Sequence, residues 1–422
     1  MRVKSALVRP PVQEGAHEST GLDQGSQAGG LSDTDQFVRA PQTSVAPKGP
    51  QHIAATAPAR AGELMVATYN VENLFDAERD PTIKDQEFTP QGARSWTDAK
   101  VEQKIQNLSQ VIRAMQGGRG PDILALTEVE NRAVVERLAH QGLQGLGYDT
   151  IAHIDGPDSR GIDCAIISRY PQLGASVLHQ VHDLNNPIWD KPTRGILEAT
   201  FDVDGAPLTV FANHWPSKRG GPIRDEQRQL IGQQLRSLIQ SRSANNPQFR
   251  CVVLGDFNAH PDEKSLGPEG LGASGDQRDL QREQGPLLLY NPLMDRVQQL
   301  SQEHPDPSLT KQLQRHRPQS QKESNLRHHI NRFGHRVGTH RHDSQWGSID
   351  HIFLSAGLMK PGELQWVPGS FDVYRDDFML GPDGAPYSFE ASTSRAAANT
   401  AGSAAGISDH FPVVLRLQRK KS

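Results

Sequence analysis

A chain of 422 residues with a formal net charge of −4 exerts no global electrostatic pull on nucleic acid or an anionic membrane, so any basic recognition surface has to be local. Hydrophobic residues make up 35% and mean hydropathy is −0.61, which allows one large α/β core but places much of the length in polar tails or loops. Both cysteines, Cys164 and Cys251, fall inside apolar strand-like runs, where small thiols pack, so no disulfide framework is implied.

Residues 1–61 mix Gly, Ser, Pro and Gln without hydrophobic period and read as a disordered N-terminal arm. Arg2 and Lys4 open it, but no apolar run of signal-peptide or membrane-helix length follows. The default expectation is a cytoplasmic monomer with no transmembrane segment, with secretion by a non-conventional route left open.

Order begins at Leu64–Asn70, a β-prone run ending in a polar residue. Val101, Ile105, Leu108, Ile112 and Met115 then recur at steps of four and three, predicting a helix that Gly117-Gly118 stops and whose stripe covers a sheet. Asp122–Glu128 reads as a second strand with an acid at its end, followed by a helical stretch through Val134, Val135 and Leu138. Further strands are expected over 161–168, 195–201, 208–212, 249–254, 348–354 and 411–417, and a helix over 224–239. Two polar insertions, about 262–285 and 300–345, interrupt the pattern, and 419–422 is a basic tail. From Lys311 to Arg341 lie eight Lys and Arg against the single acid Glu323, with six histidines between His316 and His342. Such a segment suits phosphate backbones, a solvated loop or incidental metal binding equally.

Several strand-like runs end in residues able to hold a metal or a phosphate. These are Asn70-Val71-Glu72, Glu128, Asn213-His214, Gly255-Asp256-Phe257-Asn258 and Ser408-Asp409-His410, with Asp350 inside a sixth run. A lone G-D-x-N is more simply an Asx turn after a strand. Six such segments together are not. Oxygen donors without thiolates favour a hard cation, Mg²⁺ or Mn²⁺, and suit phosphoryl chemistry, in which a carboxylate orients water and imidazoles donate to developing charge. Asp350 is the candidate carboxylate to keep His410 cationic. Lys218 and Arg219, and Arg160 further upstream, are candidate substrate contacts; for Arg160 an ion pair with Asp163 is the alternative.

Tyr69–Asp76, Ala125–Asn131, Arg160–Asp163, Thr193–Leu197, Asn213–Lys218, Leu254–Asn258, Trp346–Ile352 and Ser408–Val413 together resemble the endonuclease/exonuclease/phosphatase superfamily related to DNase I, in that family's order and across nearly all of the patterned chain. The resemblance implies a four-layer α/β sandwich over 62–418, two facing mixed sheets with helices outside and a site at one edge. It implies that Glu128 is the principal metal ligand, with Asn70 and Glu72 beside it and Asp409 as a metal or water ligand. Asp256 then governs the attacking water, Asn258 donates to the phosphate, His410 contacts the scissile phosphate with Asp350 behind it, and His214 assists at phosphate or leaving group. Whether Asp256 or His410 is the formal base stays open. Glu130, Asn131 and Asn73 read as helix caps. The expected activity is metal-dependent cleavage of nucleic-acid phosphodiester bonds by an endonuclease. The alternatives are a phosphomonoesterase or a phosphoinositide- or sphingomyelin-type lipid phosphodiesterase, and a non-catalytic nucleic-acid-binding protein that keeps the fold.

Overall fold

The computed structural model describes residues 53–182, 185–189, 193–246, 248–277, 279, 289–304, 331–393 and 406–420. Most of the expected N-terminal arm and the larger part of the basic, His-rich segment therefore lie outside the described residues.

The strands are β1 (Glu63–Leu74), β2 (Ile123–Val129), β3 (Thr150–His153), β4 (Asp163–Ser168), β5 (Val177–His179), β6 (Ile196–Val203), β7 (Ala206–His214) and β8 (Cys251–Asp256). They continue as β9 (Ala273–Ser274), β10 (Leu289–Tyr290), β11 (His340–His342), β12 (Gln345–Gly347), β13 (Asp350–Ser355), β14 (Leu364–Trp366), β15 (Asp372–Val373) and β16 (Val413–Arg419). One seven-stranded sheet runs β14-β16-β1-β2-β4-β3, with β15 also on β16, and a second runs β5-β6-β7-β8-β13-β10-β9. The helices that matter are α1 (Ile53–Thr56), α2 (Asp98–Ala114), α3 (Arg132–Arg137), α4 (Pro222–Asn245) and α5 (Leu293–Glu303).

Alternation along single strands explains the layering. In β8, Val252 and Leu254 join the core between the sheets, while Cys251 and Val253 turn outward to a second core under α4, where Ile231, Leu235 and Ile239 meet them. β7 and β13 divide in the same way, Val210, Ala212, Ile352 and Leu354 inward and Phe211 and Phe353 outward. On the far side, α2 lays Val101, Ile105, Leu108 and Ile112 over the first sheet. The order is thus helices, sheet, sheet, helix: the four-layer sandwich. Each such aliphatic side chain taken from water contributes about 1.5–3 kcal/mol.

Several boundaries differ from expectation. α1 and Ala57 precede position 62, and the Ala57 carbonyl accepts from the Arg416 guanidinium, so the packed unit starts ahead of the predicted arm boundary. The first insertion is partly core: Leu266 and Leu271 are buried under α4, because two leucines in a glycine-rich turn carry no readable period. The second contains the last turn of α5 and β11, which pairs with β12 as a two-stranded ribbon. Arg419 closes β16 rather than opening a tail, its N–H donating to Gly62 O at 2.8 Å. Cys164 and Cys251 are both free and buried, as packing residues should be.

Candidate active site

Strand directions gather the predicted residues at one edge. β1 and β2 are parallel, as are β7 and β8, so Asn70, Glu128, His214 and Asp256 all stand at carboxyl ends. β13 runs antiparallel to β8 and β16 antiparallel to β1, so Asp350 at the start of β13 and Asp409-His410 just before β16 come to the same edge. This is where open α/β sheets expose functional side chains.

Asn70 bridges the two sheets. Its Nδ2 donates to Glu128 Oε1 and to Asp256 Oδ2, each at 3.1 Å, while its Oδ1 accepts from the Glu72 N–H at 3.0 Å. Carboxylates on one side and an N–H on the other leave a single sensible orientation of the amide. Glu128 has φ +66° and its second oxygen accepts from the Asn73 N–H at 3.0 Å. His214 Nε2 stands 3.7 Å from both Glu128 Oε1 and Asp256 Oδ2.

Gly255 is required by this packing. Its φ is +135°, and a Cβ there would overlap the carbonyl of Asn213 on β7. Beyond it, Asp256 Oδ1 accepts from the Asn258 N–H at 2.8 Å, so the Asx turn exists together with the site rather than instead of it. Asn258, at φ +48°, donates its Nδ2 to Trp215 O at 3.1 Å, and Phe257 packs edge-on against Trp215 and Phe353.

Charge is unevenly distributed over these groups. Burial, and then Asp350 opposite it in register, push the Asp256 carboxyl up to about 7. Burial alone would strip the proton from His410; Asp350, whose Oδ2 lies 2.8 Å from His410 Nδ1, outweighs it and holds that imidazole well above its ordinary 6.5. His214 goes the other way, well below 6.5, through burial and then the positive Arg194, Arg160 and His410. The edge thus carries one cationic and one neutral imidazole beside a carboxylate that is easily protonated.

Glu72 and Asn73 lie differently from expectation. Glu72 turns back to the turn Phe389–Ser392, accepting from Ser388 Oγ and from the Phe389 N–H at 2.7 Å, which occupies both oxygens. Asn73 caps no helix and instead donates to Glu390 Oε1 at 2.8 Å, whereas Asn131 does cap α3, accepting from the Val134 N–H at 2.9 Å. Lys218 is paired with Glu263, and Arg160 stands 4.0 Å from Asp158 rather than on Asp163. Arg219 lies on the exposed turn after His214. Asp409 keeps 42% of its side chain exposed, the most open acid of the group.

Three participants had no assigned role in the sequence. Lys104 of α2 is fully buried, bonds Ile407 O at 3.2 Å and lends positive charge to Glu72, Glu390 and Asp409; a lysine on an otherwise apolar helix face was the available signal. Arg194 sends Nε to Asp158 at 3.4 Å and Nη1 to Trp215 O at 3.2 Å. His340, on β11, forms a backbone bridge with His410 and packs its ring at a tilt against it, centroids 4.7 Å apart, with Nε2 at 3.9 Å from Asp409 Oδ2. It sits among six histidines of one low-pattern stretch, and nothing local distinguishes it.

The donor set fits a hard divalent ion. Asn70 ties Glu128 to Asp256 through one amide, and Asp409 lies close enough to Glu128 for the two charges to repel, so the edge gathers oxygen donors. Carboxylates, amides and imidazoles gathered at one edge of a two-sheet sandwich suit phosphoric ester hydrolysis. The sequence profile described as the Endonuclease/Exonuclease/phosphatase family matches residues 65–298 and 293–419, and the chain belongs to that family. No curated protein sequence matches the chain. Similar solved structures include an endonuclease/exonuclease/phosphatase from Beutenbergia cavernae, 16% identical over 85% of this chain and 72% of that one, with a TM-score of 0.42. Another is truncated Caenorhabditis elegans TDP2, 12% identical over 86% and 99%, TM-score 0.45. A third is D. rerio TDP2 complexed with single strand DNA product, 15% identical over 85% and 99%, TM-score 0.45. No helix among the described residues is long and apolar enough to cross a membrane.

Proposed function

We propose that the protein is a metal-dependent phosphodiesterase that cleaves nucleic acid as an endonuclease. The observation that carries the reading is the split between Asp256, a buried carboxylate that takes a proton near neutrality, and His410, a cation held by Asp350, at one sheet edge. Asp256 orients the attacking water and takes its proton as the water oxygen bonds to phosphorus. The P–O bond on the opposite side breaks in line. His410 Nε2–H donates to a phosphoryl oxygen as charge builds there, and Asn258 steadies the phosphate. His214, neutral, lines the same space and Asn70 keeps Glu128 and Asp256 in fixed relation. Glu128 and Asp409 would hold Mg²⁺ or Mn²⁺, which when bound polarises the phosphate and offsets negative charge on the leaving oxygen. Arg160 and Arg219 are the cations best placed to meet the substrate backbone; Lys218 reaches it only by leaving Glu263.

The test is a substrate panel. Full-length protein is incubated with supercoiled plasmid, single-stranded DNA, RNA, a phosphoinositide, sphingomyelin and a generic diester, each with Mg²⁺, Mn²⁺ or EDTA. Metal-dependent nicking of the plasmid supports the endonuclease. Turnover of the lipids alone moves the activity to the lipid branch, and nucleic-acid binding without any turnover, unchanged in Glu128→Ala, points to a binding protein that keeps the fold.

A further inference from the structure

A second cluster of ligating groups lies further along the same sheet edge, where β3 ends and β4, the neighbour of β2, begins. β3 and β4 are antiparallel neighbours, and the loop 154–162 between them carries Asp155, Asp158 and Arg160. His153 closes β3 with a side chain only 2% exposed. Its Nε2 makes no hydrogen bond and faces Asp163 Oδ2 at 3.8 Å, while Nδ1 faces Asp155 Oδ1 at 3.9 Å. One ligand atom from each of the three residues falls within 4.8 Å of the others.

These distances are too long for hydrogen bonds, and a buried ring nitrogen without a partner costs about 1–3 kcal/mol. One ion would take one of the two ring nitrogens and one oxygen from each carboxylate; that set lies within 4.8 Å, and a small closure brings it to the roughly 3–4 Å that separates two ligands of a first-row cation. Neighbouring cations are committed elsewhere: Arg194 to Asp158 and Trp215 O, and Arg160 beside Asp158. The approach is also shaped. Gly156 donates its N–H to Asp163 Oδ1 at 3.0 Å, and a Cβ on it would stand 2.5 Å from that oxygen, so glycine leaves the carboxylate its place.

We propose that His153, Asp155 and Asp163 form a second cation site, one imidazole and two carboxylates, that takes a first-row divalent ion, Zn²⁺ foremost, and staples the base of the 154–162 loop. An imidazole with carboxylates suits Zn²⁺ or Mn²⁺ better than Mg²⁺ or Ca²⁺, whose preference is all oxygen. Three protein ligands leave room for water. The site is structural in effect: the stapled loop carries Asp158, which holds Arg194, and Arg160, and both arginines act on His214. Occupancy therefore orders the positive side of the catalytic edge without touching its carboxylates.

The experiment uses EDTA-stripped full-length protein titrated with Zn²⁺ by calorimetry, with Co²⁺ absorption as a second readout, and no substrate, so its result does not depend on the phosphodiesterase reading. Any Zn²⁺ bound elsewhere on the chain is common to wild type and the His153 and Asp155 variants, and the difference between them is what counts. His153→Gln is expected to lower the Zn²⁺ stoichiometry by one and to remove a Co²⁺ band arising from nitrogen coordination. Asp155→Asn, at a side chain 85% exposed and harmless to folding, is expected to weaken the same site by about 10-fold or more. Glu128→Gln is expected to leave this site intact. Zn²⁺ binding by Asp155→Asn equal to wild type in number and affinity would overturn the proposal, whatever the fate of His153→Gln.

Discussion

Asp350 faces Asp256 across the antiparallel register of β8 and β13, and its Oδ2 lies 2.8 Å from His410 Nδ1. Two buried carboxylates side by side repel one another, and the imidazolium between them resolves the conflict unequally: Asp350 holds the cation, while Asp256 is left with a raised affinity for a proton. One contact thereby sets the acid and the base of the proposed reaction.

Replacing Asp350 by Asn removes the charge that keeps His410 protonated. Turnover of whichever diester proves to be substrate is expected to fall by roughly 10²–10⁴-fold, and the alkaline limb of the pH–rate profile to move to lower pH. An alkaline limb that stays in place would show that His410 does not act as the cation.

Glu128→Gln keeps the hydrogen-bonding shape around Asn70 but removes one charge. Metal-stimulated turnover is expected to disappear, and Mn²⁺ binding, followed by the loss of the free-ion resonance signal, to weaken. Wild-type Mn²⁺ affinity in this variant would move the principal ligand elsewhere.

The raised Asp256 carboxyl makes a stability prediction with a definite sign. A folded pKa of about 7 against an ordinary 3.8 means the contribution is fully present below about pH 4 and is lost as pH rises through 7. In EDTA, Asp256→Asn should therefore match wild type near pH 4, gain on it between pH 4 and 7, and stay ahead by about 1–3 kcal/mol above. Thermal melts across this range check it; a variant less stable than wild type at pH 8 contradicts the assignment.

Gly255→Ala puts a side chain into the carbonyl of Asn213 at a backbone angle that L-residues rarely adopt. Parting β7 from β8 at this point should cost more than about 3 kcal/mol in urea unfolding, and activity should fall with it. A midpoint unchanged from wild type would mean that the strands separate freely there.

The order of the long strands and helices was legible from their patterns, because each long helix buries one face and β8 buries both: α2 and α4 show steps of three and four, and β8 is a continuous apolar run. Short elements were not. β3 and β5 have too few residues to show alternation, and Leu266 and Leu271 pack from a turn without any period.

By itself, the amino-acid sequence determined which acids, amides and imidazoles close the apolar runs, and so which side chains stand at strand ends. Tertiary structure decided how they share the work. Ser388 and Phe389 lie more than three hundred residues from Glu72 yet engage both its oxygens, and Lys104, Arg194 and His340 join from segments whose local pattern assigns them nothing. Proton affinity, too, depends on burial and on charges brought close by folding, so the cationic His410 and the neutral His214 are alike until the two sheets meet.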